Sequence, residues 1–566
     1  MAMGKACAAV LAAACSIPLA AQTYPDVVSQ SHYVRVRDGT RLAMSIYRPA
    51  RGITAASARL PVVFAFTPYR ARYRGPDGKI TETALQDNLA MRSLVRAGYV
   101  VAIADIRGKG ASFGHRRGFQ DRTEARDGYD LVEWLAHQPF ADGKVGLVGC
   151  SYLGGSAFQI ATTAPPSVKA AFIGASDLDK YSFVRNGGIT AQFNTRPDEE
   201  AAVDLATVPM DEDKQGAMLK AAVAEHGANT PMGPLWYAMP YRDSMSSYTG
   251  TRFWEEVGPY THLDTFRRAG IATYFWGNWQ DEPTSQIILS AANMGGRMLA
   301  GPGGHCVPPP GFDLPGEIVG FFDHYLKGLR PDYATLPRAT YWVEGLNGTG
   351  TFVTSDQLPG VQSRPVPWFL GGEENSQFGS ATPALQAARS FKVDYNLPPA
   401  DYFAFWPQPM GAHGLAFTSA PLVAPLKLIG YPVAQLTVAS DNPQADVFVY
   451  LDRIKADGKE EVIAFGRLKL SHHKLAQAPY ETLGLPWHSG RQADVAPPAP
   501  GEFVPLSIAL TPLSLMIAPG DRLRLVTAGA DPRQRNLKQI QLAPPPQITV
   551  RLGGIDGSRI DLPLAP

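Results

Sequence analysis

The stretch that decides the fold is Lys144-Val-Gly-Leu-Val-Gly-Cys-Ser151-Tyr-Leu-Gly154 with its continuation to Ala164. Residues 144–148 form an apolar run of strand length, and residues 152–164 read as a helix that Pro165 and Pro166 end. Gly149-Cys150-Ser151-Tyr152-Leu153-Gly154 therefore falls on a strand-to-helix turn. That is the setting of a nucleophile elbow, where a sharp turn lifts a serine hydroxyl out of a sheet and small flanking residues let the backbone fold that tightly. The helix N-terminus adds positive partial charge where an oxyanion would develop. The bland alternative is a glycine-rich turn with an incidental serine.

The same rhythm runs outward from this turn. Apolar runs at 61–66 (PVVFAF), 99–104 (YVVAIA) and 168–173 (VKAAFI) read as buried strands, and 124–137 has helical spacing in Leu131, Trp134 and Leu135. Strands alternating with helices imply βαβ units and a mostly parallel sheet. Residues 23–180 are thus expected to form the first part of an α/β-hydrolase domain. Residues 181–265 break the pattern with a helical stretch over 199–226 and an aromatic-rich segment holding Trp236, Tyr237, Tyr241, Tyr248 and Trp254, which predicts a helical cap. The α/β pattern resumes over 266–335, with strands at 272–276 and 297–300 and a helix at 316–328. From 340 to 566, alternating runs such as 434–438, 446–451 and 521–526 are separated by turn residues, and predict an all-β sandwich or jelly roll.

A chain of 566 residues exceeds one hydrophobic core, and about two to four domains are expected. With 45% hydrophobic and 18% charged residues the composition is that of a globular protein. A net charge of +1, without a basic run, gives no field to draw nucleic acid or an anionic membrane. At the N-terminus, Lys5 precedes an apolar stretch from Cys7 to Leu19, followed by Ala20 and Ala21. Residues 1–22 read as an export signal too short to span a bilayer, cut before Gln22. The protein is then expected to be periplasmic or secreted; a lipoprotein anchored through Cys15 is the alternative. Of the four cysteines, only Cys150 and Cys306 lie beyond this signal. Two thiols in an oxidising compartment can pair, though sequence distance does not decide whether they do.

A serine nucleophile needs a base. His305, in Gly301-Pro-Gly-Gly-His305, follows the strand at 297–300 and fits the chain order serine, acid, histidine. His32 and His115 precede the serine, His137 ends a helix, His324 lies inside one, and His472 and His473 fall in the β-rich part. The acid that fixes the imidazole tautomer should end the preceding strand. Asp281 in Gly277-Asn-Trp-Gln-Asp281 fits, with the adjacent Glu282 as the alternative. For an oxyanion hole, the backbone N–H of Tyr152 supplies one donor, and the loop after 61–66, with Tyr69, offers a phenol O–H as the second. Each of these has a duller reading as a hydrogen-bonded structural histidine, a solvated carboxylate or helix cap, or a packed tyrosine. No His/Cys/Asp cluster has ligand spacing, so neither a metal nor an organic cofactor is implied.

Together the segments resemble the cocaine esterase family of hydrolases (CocE/NonD type), which includes X-Pro dipeptidyl-peptidases, α-amino-acid ester hydrolases and glutaryl-cephalosporin acylases. Thr67-Pro-Tyr69 looks like that family's oxyanion tyrosine motif, and Asp105-Ile-Arg-Gly-Lys-Gly-Ala-Ser112 like its D-x-R-G-x-G-x-S segment. Asp127 to Trp134 and the elbow match its helix and nucleophile motifs. Gly277 to Asp281 and Gly301 to His305 are similar to its acid and histidine motifs, and Phe322 to Gly328 resembles the helix that ends its catalytic domain. Ala518 to Leu525 resembles its C-terminal, galactose-binding-like jelly roll. The resemblance carries nucleophile, acid, base and oxyanion tyrosine to Ser151, Asp281, His305 and Tyr69. Asn278 and Gln280 depart from the acid motif. Pro283 and Thr284 stand where the α-amino-acid ester hydrolases carry carboxylates for a substrate ammonium. Cys150 beside the serine and Cys306 beside the histidine resemble the tannase and fungal feruloyl esterase pattern, which implies a disulfide between them; two buried thiols are the alternative. The expected activity is hydrolysis of a small-molecule ester or amide through an acyl-enzyme, with X-Pro dipeptidyl-peptidase-like or acylase specificity as variants. A catalytically silent carbohydrate- or polymer-binding protein is the reading from another class.

Overall fold

The structure, a computed structural model, describes residues 23–83, 90–190, 198–371, 377–384, 386–401, 404–534, 540–554 and 556–566. The expected export segment and the lipoprotein candidate Cys15 lie outside the described residues. The N-terminal sheet consists of β1 (Asp26–Arg35), β2 (Arg41–Arg51), β3 (Leu60–Thr67), β4 (Val100–Asp105), β5 (Ala141–Cys150), β6 (Val168–Gly174), β7 (Ala272–Asn278), β8 (Arg297–Gly301), β9 (Ala339–Glu344) and β10 (Gly350–Ser355). Its spatial order is β1-β2-β4-β3-β5-β6-β7-β8-β9-β10, parallel from β4 to β9 and antiparallel at both margins.

Both faces of this sheet are covered, which is why its strands are apolar throughout rather than alternating. Val62, Phe64 and Phe66 of β3 face one core, with Val63 and Ala65 facing the other. Helix α1 (Met91–Arg96) packs on the second face, α2 (Arg122–Ala136), α3 (Tyr152–Ala161) and α4 (Thr284–Met294) pack on the first, and α5 (Leu314–Lys327) lies with α1. The α/β sheet does not stop before residue 340. Strands β9 and β10 continue it to Ser355, because β9 pairs in parallel with β8.

The segment after β6 forms the helical cap. Trp236 and Trp254 stack in its core with ring centroids 5.5 Å apart, and Leu235, Met239, Phe253 and Val257 are buried around them. The helix expected over 199–226 is broken into Ala201–Leu205 and Ala217–Glu225. Between them the chain leaves the helix to bond with the 72–74 segment, the Val208 N–H donating to the Arg72 carbonyl at 3.0 Å, and Pro209 follows with no N–H to donate. The second helix restarts where the Asp213 carboxylate accepts from the Met218 and Leu219 N–H groups.

The C-terminal part is an antiparallel sandwich. One sheet runs Glu460–Lys469, Asp446–Ile454, Arg522–Ala528, Gly414–Thr418. The other centres on Val433–Ser440, flanked by Val504–Ala509 on one side and by Gln547–Leu552 and Arg559–Leu564 on the other. The inward residues of both sheets make a single core that includes Leu436, Val438, Phe448, Tyr450, Leu525 and Ile560. The architecture is that of an α/β-hydrolase with a helical cap and an all-β C-terminal domain. Among the described residues, one ladder pair, Glu344 with Leu515, joins the α/β sheet to the sandwich.

Candidate active site

The elbow is built by close approach. A Cβ at Gly149 would lie 2.3 Å from the Leu153 carbonyl, and one at Gly154 would lie 2.1 Å from the carbonyl oxygen of Gly174. Only glycine lets α3 start this near β5 and β6. Ser151 itself sits at φ 59 and ψ −128, a strained conformation for a residue with a side chain, and its N–H is held by the Gly174 carbonyl at 3.1 Å. The strain projects Oγ above the sheet edge.

There it meets the two other ends of the sheet. His305 Nε2 lies 2.8 Å from Ser151 Oγ, and His305 Nδ1 lies 3.0 Å from both carboxylate oxygens of Asp281. Asp281 follows β7 and is 1% exposed. Burial pushes its carboxyl above the usual range, against the opposing pull of His305. Glu282, the alternative acid, points elsewhere. Its Oε1 accepts from Arg467 at 2.7 Å, and its Oε2 is paired with Arg533 at 3.5 Å, so it ties the catalytic half to the sandwich.

Three devices fix the histidine loop. Cys150 and Cys306 are joined in a disulfide. Asn278, buried at the end of β7, donates from Nδ2 to the carbonyls of Gly304 and Val307, each at 2.7 Å. Gln280 accepts from the Gly303 N–H at its Oε1 and donates its own N–H to the Gly303 carbonyl. The two residues that depart from the family's acid motif are therefore the ones that clamp the loop carrying His305. Phe405, from the sandwich side, stacks on the imidazole with ring centroids 4.1 Å apart; nothing in the sequence near residue 405 marks that contact.

The oxyanion candidates are held with equal care. The Asp105 carboxylate accepts from the N–H groups of Ala71 and Ala111 at 2.7 and 3.0 Å, and so closes the loop of Tyr69 against the glycine-rich loop. Gly110 has no room for a Cβ, which would lie 2.2 Å from that carboxylate. Burial lifts Asp105 to about 6. Tyr69 borders the cavity above Ser151, and its ring packs edge-on to Tyr152. Tyr152 donates its phenol O–H to buried Glu124 at 2.7 Å, and its carbonyl accepts from Gln120 Nε2 at 2.9 Å. Its backbone N–H opens α3.

A cavity of about 190 Å³ lies over Ser151 and His305. Phe119, Tyr152, Phe183 and Trp236 supply an aromatic wall, and Lys109, Asp177 and Lys180 also border it. A deep elbow serine bonded to a histidine, itself bonded to a buried aspartate, under a capped α/β sheet, defines a serine hydrolase.

Comparison with known proteins narrows this class. The family model described as X-Pro dipeptidyl-peptidase (S15 family) matches residues 38–307, and the model for that family's C-terminal non-catalytic domain matches residues 332–539. The chain belongs to the S15 X-Pro dipeptidyl-peptidase family, the group of hydrolases its motifs resemble. It is 27% identical, over an alignment 616 positions long that covers 96% of each chain, to a Mycobacterium tuberculosis (strain CDC 1551 / Oshkosh) protein named "Putative serine esterase". It is 23% identical to the cocaine esterase of Rhodococcus sp. (strain MB1 Bresler), over 80% of this chain and 84% of that protein. In fold it matches a crystal structure of a CocE/NonD family hydrolase from Staphylococcus aureus, with TM-score 0.73, 19% identity, and coverage of 95% of this chain and 94% of that one.

Proposed function

We propose that the protein is an exported serine esterase or acylase in which Ser151, His305 and Asp281 act as a catalytic triad. The observation that carries this is the continuous line of hydrogen bonds from Ser151 Oγ through His305 to Asp281, at 2.8 and 3.0 Å, facing a cavity. Ser151 Oγ attacks the substrate carbonyl as its proton passes to His305 Nε2. Asp281 holds the imidazole with Nδ1 protonated and stabilises the imidazolium. The oxyanion accepts from the Tyr152 N–H and the Tyr69 O–H. His305 then protonates the leaving oxygen or nitrogen, leaving acyl-Ser151, and a water activated by the same histidine hydrolyses it. The aromatic wall favours an apolar or aromatic group on the substrate, which is a small-molecule ester or amide. Export agrees with the N-terminal signal pattern and with a disulfide that an oxidising compartment would maintain.

The test is labelling with an active-site phosphonylating probe, followed by rates on aryl esters, β-lactam side-chain amides and X-Pro dipeptide anilides. Labelling of the wild type and its loss in Ser151→Ala is the expected result. An unlabelled wild type would leave a silent binding protein as the better reading. Export is tested separately, by whether the full-length chain is recovered outside the cytoplasm with the residues before Gln22 removed.

A further inference from the structure

Two aspartates follow β6 in the sequence Ser176-Asp-Leu-Asp-Lys180, and they are used differently. Asp179 is fully engaged: one oxygen accepts from Arg242 at 2.7 Å, and the other from Ser182 and Tyr480, each at 2.7 Å. Asp177 is not. Its Oδ1 accepts from Lys180 Nζ at 2.8 Å, while its Oδ2 is buried and has no hydrogen-bond partner among the described residues. The residue is 5% exposed and borders the Ser151 cavity.

Lys180 borders the same cavity and is 3% exposed. An ammonium has three N–H donors. Here one goes to Asp177 and one to Gln120 Oε1 at 2.7 Å, and the third has no acceptor among the described residues. The ammonium stands 5.1 Å from the centre of the Phe119 ring, which packs against Tyr152 and Trp236. A buried carboxylate oxygen and a buried N–H left unmatched on one wall are costly unless something completes them. The cavity they border is the one in which a substrate would sit. The pair is neutral as a whole. A lone ammonium entering it would meet Lys180, and a lone carboxylate would meet Asp177. A group that both donates and accepts satisfies both.

We infer that Asp177 and Lys180 form a specificity subsite that takes an uncharged hydrogen-bonding group of the substrate, a hydroxyl or a carboxamide, beside the aromatic wall. This rests on the hydrolase function proposed above. The substrate's O–H or N–H donates to Asp177 Oδ2, and its oxygen accepts from Lys180. Gln120 links the subsite to the elbow, since it accepts from Lys180 and donates to the Tyr152 carbonyl.

The experiment is a matched series of aryl esters, unsubstituted or carrying a hydroxyl, carboxamide, ammonium or carboxylate on the acyl or the alcohol ring, with kcat/KM measured on the wild type and on Asp177→Asn. The expected result is a preference of about ten-fold or more for a hydroxyl or carboxamide ester over the unsubstituted one. Ammonium and carboxylate esters should fall below both. In Asp177→Asn, where an amide donor replaces the unmatched acceptor, the preference should collapse toward one. A flat wild-type series, a preference for a charged ester, or an unchanged preference in a variant melting at the wild-type temperature overturns the subsite. The wild-type series decides the matter alone if the variant does not fold. Failure of the probe to label the wild type would remove the hydrolase reading itself, whereas a labelled enzyme with a flat series removes only the subsite.

Discussion

Cys150 and Cys306 are bonded across 156 residues of sequence with their Cα atoms 6.0 Å apart, so the residue before Ser151 is tied to the residue after His305. The bond fixes the separation of Ser151 and His305 directly, without relying on the packing of either loop. Reduction, or the pair Cys150→Ser and Cys306→Ser, should lower kcat by about ten-fold or more, because a displacement of about 1 Å at this distance disrupts proton transfer. Closing so long a loop also restricts the unfolded chain, and removing the bond should cost up to about 5 kcal/mol of stability. Urea midpoints with and without reductant, beside the turnover rate at a temperature where both forms are folded, check the two effects. Full activity in a chain whose thiols titrate as free would show that the clamp is dispensable.

Asn278 and Gln280 secure the same loop by hydrogen bonds rather than covalently. Asn278→Ala removes both donors to Gly304 and Val307 and leaves those carbonyls without them. A loss of about 1–3 kcal/mol is expected, with kcat falling about ten-fold and KM changing little, since Asn278 does not border the cavity. Combined with the cysteine substitutions, the effects should be non-additive, because both act on one loop. A strictly additive double-mutant cycle would contradict a shared role.

The acid can be assigned by contrast between neighbours. Asp281→Asn keeps the shape but presents an amide to His305 Nδ1, and kcat should drop by about 1,000- to 10,000-fold with folding intact. Glu282→Gln should do the reverse. It leaves the Ser151–His305–Asp281 line untouched but takes the counter-charge from Arg467, which is nearly buried, so stability should fall by about 3–5 kcal/mol. Parallel measurement of kcat and thermal midpoint separates the two. Loss of kcat in folded Glu282→Gln would reassign the acid.

The parts of this site that could be read from the sequence are those whose constraints are local or ordered along the chain. Gly149 and Gly154 are dictated by a turn six residues long, and His305 and Asp281 by their positions after successive strands. Asn278 and Gln280 looked like departures from a motif, because their partners lie more than twenty residues on, in a loop whose path no periodicity encodes. Phe405 reaches His305 only because the sandwich packs against the α/β sheet, and Asp177 differs from Asp179 in what the cap and Tyr480 bring to the latter. The continuous helix expected over 199–226 failed for a similar reason: pairing with the 72–74 segment outweighed local helical propensity.

Glu124 gives the protein a pH dependence with a defined sign. Its carboxyl lies buried beneath Tyr152, accepting from the Tyr152 phenol at 2.7 Å and the Ser156 hydroxyl at 2.9 Å, and burial pushes it from 4.5 up to about 7. Between those values the folded protein holds a proton that the unfolded chain has released, so the unfolded state binds fewer protons and stability falls as pH rises. The contribution is complete below about pH 4.5 and lost as pH climbs through about 7. Its size is about 3 kcal/mol at most. Asp105, lifted to about 6 by burial, adds a slope of the same sign, so the wild-type curve alone does not isolate Glu124. Glu124→Gln cannot titrate. Its stability relative to the wild type should therefore rise between pH 4.5 and 8 by up to that amount, whatever the fixed cost of replacing the acceptor. Urea midpoints of both proteins at pH 4.5, 6 and 8 measure the difference. If the two curves run parallel, Glu124 titrates in the folded protein as it does in the unfolded chain, and the elbow's supporting hydrogen bonds are made to a carboxylate at neutral pH.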